Sequence, residues 1–474
     1  VSRPLAASLP RTTAGPADPP DRFYALLRLA ARFWIWFFFR RVDARHAERL
    51  PARGPVLLCI NHPNNLIDSL LVGAVVPRKV HYLATAALFR NPLVARFLRA
   101  AGAVPIYRRQ DDPDKMDRNV ESFAACLQAF ADGRVVAIYP EGTTHAESRV
   151  QRIKTGAARL ALAHEAEHPG VLALIPVGLS FEARKSFRGR VLVSVGPPVP
   201  VAAYADAYRA DASAAVEALT TAIQWAMEKQ VVHVDRIEAT DLVRAVEDLY
   251  RGELVRELRE ARGLGEREVD VFRLSRSIVD AVEHFRRSDP ERVERLWQRL
   301  QGYRALLEAY RVRDEAVRAR LSRPGPRRRL VGSWVALLGL PVYAYGAAVN
   351  GAAYYAPRWL ARRLSHKETD YATIRLLASI VALPVTWALE TWMVFRIAGA
   401  PWAALFALSL PVTGLIAYRY QRGVGRLRSA VRFTWLALTR DHAARALLAE
   451  RSALVGELDR AKGDYLAATR GSSF

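Results

Sequence analysis

The sequence predicts an α/β domain built on a covered mixed sheet, followed by an α-helical extension and a C-terminal hydrophobic helical membrane region. Three observations carry that reading. Short apolar runs alternate with helical patterns over residues 42–205. A long, highly charged stretch without glycine clusters follows over 206–325. Apolar segments near the roughly 20 residues needed to span a bilayer then return in the last third.

Residues 1–20 are rich in Pro, Ala and Thr and are expected to form a disordered leader. Residues 21–41 contain FYALLRLAARFWIWFFFRR. Arg28 and Arg32 interrupt this run too early for a secretory signal, and no small-residue cleavage site follows. Aromatic bulk with Arg28, Arg32, Arg40 and Arg41 suits an interfacial membrane helix, the plainer alternative being an amphipathic helix packed on the domain. Within 42–205, the runs VLLCI (56–60), VHYLAT (80–85), VVAIYP (135–140), VLALIPVGL (171–179) and VLVSVG (191–196) read as strands of a sheet buried on both faces. Residues 206–325 read as amphipathic helices, to which no chemistry is assigned.

The region 326–425 carries three apolar stretches, 331–355, 376–395 and 401–418, flanked by Arg327–Arg329, by Arg358, Arg362, Arg363 and Lys367, and by Arg419, Arg422 and Arg426. Only the link RIAGAP is nearly uncharged. The positive-inside tendency therefore makes 376–395 and 401–418 a transmembrane hairpin with that link outside. Residues 331–355, which contain Pro341, are then re-entrant or interfacial, and 426–474 form a helical tail. The α/β domain is expected at the cell membrane, on its cytoplasmic face.

Composition narrows the partners. The 474 residues exceed the roughly 250–300 at which single cores stop growing. Lys and Arg number 70 against 47 acidic residues, a net charge of +23 that implies a polyanionic surface nearby. No nucleic-acid recognition motif accompanies the charge, and the apolar residues are clustered, so anionic membrane lipids are the expected partner rather than nucleic acid. Two cysteines, Cys59 and Cys126, both in apolar segments, exclude a disulfide framework and show no metal-ligand spacing.

Four motifs carry the chemistry. Asn61-His62-Pro63-Asn64-Asn65-Leu66-Ile67-Asp68 follows the strand VLLCI. A histidine at a strand end can take a hydroxyl proton, and a nearby carboxylate can fix its tautomer, although a capping role explains the same residues. Gly102-Ala103-Val104-Pro105-Ile106-Tyr107-Arg108-Arg109 delivers paired arginines suited to a phosphate, or equally a solvated basic strand end. Tyr139-Pro140-Glu141-Gly142-Thr143-Thr144-His145, with Lys154 just downstream, offers backbone amides and a cation to an anion. Ile175-Pro176-Val177-Gly178-Leu179 leads to Glu182, Arg184 and Lys185.

In order and spacing these four resemble the glycerophospholipid acyltransferase superfamily over about residues 50–200. The stretches GAVPIYRRQD, IKTGAARLAL and LIPVGLSFEARKSFRGRVLVSVGPPV look most like fungal-type glycerol-3-phosphate/dihydroxyacetone-phosphate acyltransferases and their bacterial relatives. The resemblance implies an α/β acyltransferase domain in which His62 is the general base and Asp68 its orienting partner. It also implies Arg108 on the acceptor phosphate, with Glu141, Gly142 and Thr143 in the acceptor-binding block. Arg109, Lys154, His145 and Arg184 join these from charge and position. The motif departs from the common one, which has four residues between His and Asp where this chain has five, Pro63 through Ile67. Six positions along a continuous helix would separate the two Cα atoms by about 9 Å on different faces, so pairing requires a wider turn at 63–65 before the helix starts.

The expected reaction is transfer of a fatty acyl group from acyl-CoA or acyl carrier protein to glycerol 3-phosphate, without a metal or other cofactor. Lysophosphatidic acid is the rival acceptor. A non-catalytic membrane scaffold on the same fold is the reading from another class.

Overall fold

The computed structural model describes residues 21–108, 113–145, 150–181, 189–231, 237–262, 270–321, 326–365 and 370–471. The expected leader 1–20 lies outside them. The chain divides into two units, one of residues 1–235 with 361–376 and one of 236–360 with 377–474.

The first unit is built on a seven-stranded sheet: β1 (Arg41–Arg45), β2 (Val56–Ile60), β3 (Val80–Thr85), β4 (Val104–Ile106), β5 (Val135–Ile138), β6 (Ala173–Phe181) and β7 (Arg190–Val195). The spatial order is β1-β7-β6-β2-β5-β3-β4, and every pairing is parallel except β6 with β7. The sheet is therefore mixed, with its apolar strands β2, β5 and β6 at the centre. The charged β1 (RVDAR) occupies an edge, where a row of polar groups is tolerated.

Helices α1 (Arg22–Phe38), α2 (Leu66–Val75), α3 (Pro92–Ala100), α4 (Asn119–Ala131), α5 (Gly156–Glu167), α6 (Ala205–Ala210) and α7 (Ala212–Glu228) complete this unit. Alternation along β2 separates its two faces. Leu57 and Cys59 join a core with Phe130 of α4, Leu160 of α5, and Leu219, Ile223 and Met227 of α7. Val56, Leu58 and Ile60 join a second core with Val72 and Val76 at the end of α2. Helix α7 thus covers the sheet, so the first unit runs past residue 205. Both cysteines are free and buried, and burial pushes their thiols up, that of Cys126 to about 12.

Asp21 caps α1 by accepting the Tyr24 N–H at 2.9 Å. Arg28 and Arg32 of this helix turn back to the protein, donating to the Pro77 carbonyl at 2.7 Å and the Ala74 carbonyl at 3.1 Å, where α2 ends. Its opposite face leaves Phe23, Leu26, Leu29, Phe33 and Trp36 exposed.

The second unit is helical: α8 (Ile237–Arg262), α9 (Val271–Ser288), α10 (Pro290–Ala309), α11 (Asp314–Leu321), most of α12 (Pro326–Leu364) and of α13 (Asp370–Ala398), α14 (Ala400–Thr439) and α15 (Asp441–Gly471). Helix α12 runs on through Pro341 and Pro357 as one element, so Pro341 does not interrupt it. A proline removes one N–H and crowds one carbonyl, which a long helix can absorb as a bend. Among the described residues, α13 and the stretch Ala400–Tyr418 of α14 are long and apolar enough to cross a membrane by length and composition.

Candidate active site

The parallel strands β2, β3, β4, β5 and β6 all end at one edge of the sheet, where ligands bind in open α/β folds. Asn61 leaves β2 and bonds β6 through both ends of its amide, donating to the Leu179 carbonyl at 3.0 Å and accepting the Leu179 N–H at 2.7 Å. That pair fixes the residue which follows it. The His62 N–H donates to Glu141 Oε2 at 3.0 Å, and its ring stacks on Tyr139 with centroids 3.9 Å apart and planes 17° from parallel.

His62 Nδ1 lies 2.9 Å from Asp68 Oδ2, so the pair expected across five intervening residues is formed. The required turn is present. Asn65 has φ 53° and ψ −131°, and α2 begins only at Leu66. The Asp68 N–H closes the turn on the Asn65 carbonyl at 3.0 Å, while Asp68 Oδ2 also accepts the Asn64 N–H at 2.7 Å. Asp68 is fully buried and His62 is 7% exposed. Burial pushes the Asp68 carboxyl up, and the His62 and Asn64 bonds oppose that shift. Burial likewise raises the Tyr139 phenol, which exchanges a 2.8 Å hydrogen bond with the Ser69 hydroxyl. With Nδ1 engaged by the carboxylate, Nε2 is the nitrogen available to a substrate hydroxyl.

Glu141 is buried, and its carboxylate is occupied by protein groups. Oε2 meets His62 N–H and His145 Nε2, the latter at 2.9 Å, and Oε1 accepts the Gln151 N–H at 3.1 Å. The His145 N–H also donates to the His62 carbonyl at 3.3 Å. Glu141 therefore ties the loops after β2 and β5 together, and its oxygens point inward rather than toward an acceptor. Gly142 sits at φ 71°, a conformation that calls for glycine, and a Cβ there would displace the Lys154 side chain, whose Nζ would stand 2.7 Å away. Lys154 is held beside it by its own N–H on the Pro140 carbonyl at 2.7 Å. Thr143 is half-buried next along the loop.

Arg108 follows β4, whose approach needs Gly102 at φ 94° because a Cβ there would meet the Val80 carbonyl at 2.9 Å. Strand β4 is three positions from β2 in the sheet, roughly 14 Å at the usual strand spacing. The structure thus gathers His62, Asp68, Glu141, Gly142, His145 and Lys154, with half-buried Arg108 further along the same edge. Arg109 and Arg184 lie outside the described residues. Asn61 and Tyr139, which immobilise His62, were given no role by sequence reasoning, although each sits inside a motif it singled out.

Residues 30–180 match the Acyltransferase family model. An uncharacterized acyltransferase of Schizosaccharomyces pombe is 23% identical over 447 residues, covering 76% of this chain and 64% of that protein. The glycerol-3-phosphate O-acyltransferase 1 of Saccharomyces cerevisiae is 24% identical over 273 residues, covering 56% of this chain and 34% of that one. The 1-acyl-sn-glycerol-3-phosphate acyltransferase of Bacillus subtilis is 26% identical over 168 residues, covering 35% of this chain and 76% of that one. The chain thus spans under two thirds of the length of both fungal relatives. With its motifs in order on this fold, residues 30–180 form an acyltransferase domain, consistent with the glycerophospholipid acyltransferase superfamily that the motifs resemble.

Proposed function

We propose that the protein transfers a fatty acyl group from acyl-CoA or acyl carrier protein to the hydroxyl of glycerol 3-phosphate at a membrane, forming lysophosphatidic acid. The His62–Asp68 pair at the carboxyl edge of the sheet carries this reading. His62 Nε2 takes the hydroxyl proton as the oxygen attacks the thioester carbonyl, and the resulting imidazolium returns it to the departing thiolate. Asp68 holds the ring in the tautomer that leaves Nε2 free to accept, and stabilises the imidazolium. Glu141 positions His62 through its backbone. Arg108, Lys154 and the amides near Gly142 and Thr143 serve the acceptor phosphate, with Arg109 and Arg184 as further cations on the anionic substrates.

The exposed aromatic and aliphatic face of α1 supports docking in the interface of an anionic bilayer, and α13 with Ala400–Tyr418 supports a spanning hairpin. Basic flanks favour the cytoplasmic face of the cell membrane.

Lysophosphatidic acid as acceptor is the second reading, supported by the Bacillus relative, whose length this chain covers more fully than that of the yeast enzyme. Membranes containing the protein, labelled glycerol 3-phosphate and palmitoyl-CoA should yield labelled lysophosphatidic acid, and His62→Ala should abolish it. Product formed only when lysophosphatidic acid is offered moves the activity to the second reading. No product from either acceptor, with carrier-protein donors also tried, favours a scaffold.

A further inference from the structure

The five-residue spacing between His62 and Asp68 works only because the chain makes an extra turn through Asn64 and Asn65. That turn is costly to hold. Asn65 lies at φ 53° and ψ −131°, a combination L residues rarely adopt. It also stands at the N-cap of α2, where an asparagine side chain ordinarily accepts a helix N–H, yet it makes no such bond.

Its side chain is used elsewhere. Asn65 Nδ2 donates to Asp370 Oδ1 at 3.0 Å, and the neighbouring Asn64 carbonyl accepts the Thr373 hydroxyl at 3.4 Å. Both partners come from the first turn of α13, some 305 residues further along the chain, and both belong to the same compact unit as the sheet. Ala372 and Leu376, 1% and 2% exposed, bury one face of the start of that helix. On its other side the turn is tied by Asn64 N–H and Asp68 N–H to the very carboxylate and helix that orient His62.

We propose that Asp370 is a positioning residue for the proton-transfer pair, holding Asn65 in its strained conformation so that Asp68 reaches His62; Thr373 supports the same turn. The inference rests on the acyl-transfer reading for its kinetic test, but not for its structural one. A plainer role for Asp370, a carboxylate at a helix N-terminus, is satisfied by its own helix and predicts no dependence on Asn65.

The test uses the full chain in membranes. Asp370→Ala should lower kcat about 10- to 100-fold while KM for palmitoyl-CoA moves less than about twofold, the size expected when a reacting group is displaced by about an ångström. Asp370→Asn, whose amide oxygen still accepts from Asn65, should recover most of that rate. Glycine at 65 adopts the turn without restraint, so Asp370→Ala introduced into an Asn65→Gly background should cost less than about threefold relative to Asn65→Gly alone. As a readout independent of substrate, carbethoxylation of His62 by diethyl pyrocarbonate, followed by peptide mass spectrometry, should run faster in Asp370→Ala than in the wild type. Unchanged kcat and unchanged His62 modification in Asp370→Ala overturn the proposal, and so does an equal loss of rate with and without Asn65→Gly. A wild-type protein inactive on every acceptor, whose His62 nonetheless reacts faster in Asp370→Ala, overturns the acyl-transfer reading and supports the clamp.

Discussion

Arg451 in the second unit and Asp68 in the first are both buried, but they differ in how fully they are answered. Arg451 Nε donates to Asp314 at 2.8 Å, and its Nη2 donates to Glu253 at 3.1 Å and to Asp314 at 3.3 Å. Tyr303 adds a bond to Asp314 at 2.8 Å, and Arg256 meets the other oxygen of Glu253 at 2.8 Å. Burial works against the Arg451 charge, and its two acidic partners more than offset that. Around Asp68 the balance tips the other way. Among the described residues, Asp68 Oδ1, Asn64 Nδ2 and His145 Nδ1 are buried without a hydrogen-bond partner, and burial wins over His62 in setting the direction of the Asp68 shift. A buried charge met by two carboxylates is a fastener. One left short of partners beside an imidazole gains most when that imidazole becomes charged, which is what proton transfer to His62 asks of it.

The largest expected effect tests the Asp68 cluster directly. His62→Ala should reduce acyl transfer by about 10²- to 10⁴-fold, measured as the initial rate with labelled acceptor, with the thermal unfolding midpoint little changed. A mutant that keeps most of its rate would remove the base from the mechanism.

Asp68→Asn sharpens the contrast because rate and stability should move in opposite directions. The rate should fall about 10²-fold or more, since the amide no longer fixes the tautomer. The unfolding midpoint should rise by about 2–4 °C, equivalent to roughly 1 kcal/mol, because a poorly compensated buried charge is gone. The raised Asp68 pKa means the stability this carboxyl contributes is present when it is protonated and lost as pH rises through the folded-state value. The advantage of Asp68→Asn should therefore be largest at neutral pH and vanish on acidification. Wild-type activity should fall, on acidification, at a pH above the ordinary carboxylate range.

In the fastened cluster the same logic predicts the reverse pattern. Arg451→Met leaves buried Glu253 and half-buried Asp314 without their shared cation and should cost roughly 3 kcal/mol in the second unit, read from denaturant unfolding. The rate per folded molecule should stay unchanged.

Glu141→Gln should have the smallest effect, roughly tenfold in rate. A single amide oxygen cannot accept from His62, His145 and Gln151 together, yet no reacting group is removed. A loss as large as that of His62→Ala would give Glu141 a direct part in the chemistry.

The sheet was legible because strands buried on both faces print as unbroken apolar runs, and 56–60 and 135–138 are such runs. Edge strand β1 was not, since its charged RVDAR carries no apolar signal. The His62–Asp68 pairing was legible as a geometric demand, because the spacing forbids a continuous helix and so requires a turn. What holds the turn was not: no local pattern links Asn65 to Asp370. For Glu141 the motif marked the right residue, but the direction in which a carboxylate points depends on three donors from separate segments. Charge patterning could not separate α7, which covers the sheet, from α8 and the helices beyond, because all carry mixed polar faces.

Residues 361–376 rejoin the first unit only after a long excursion through the second. During synthesis, at about 5–20 residues per second, the sheet can assemble roughly 10–30 seconds before Asp370 leaves the ribosome. In that interval the nascent domain holds its fold but not its last brace. The order of translation thus delays completion of the site until the chain has been made as far as the start of α13.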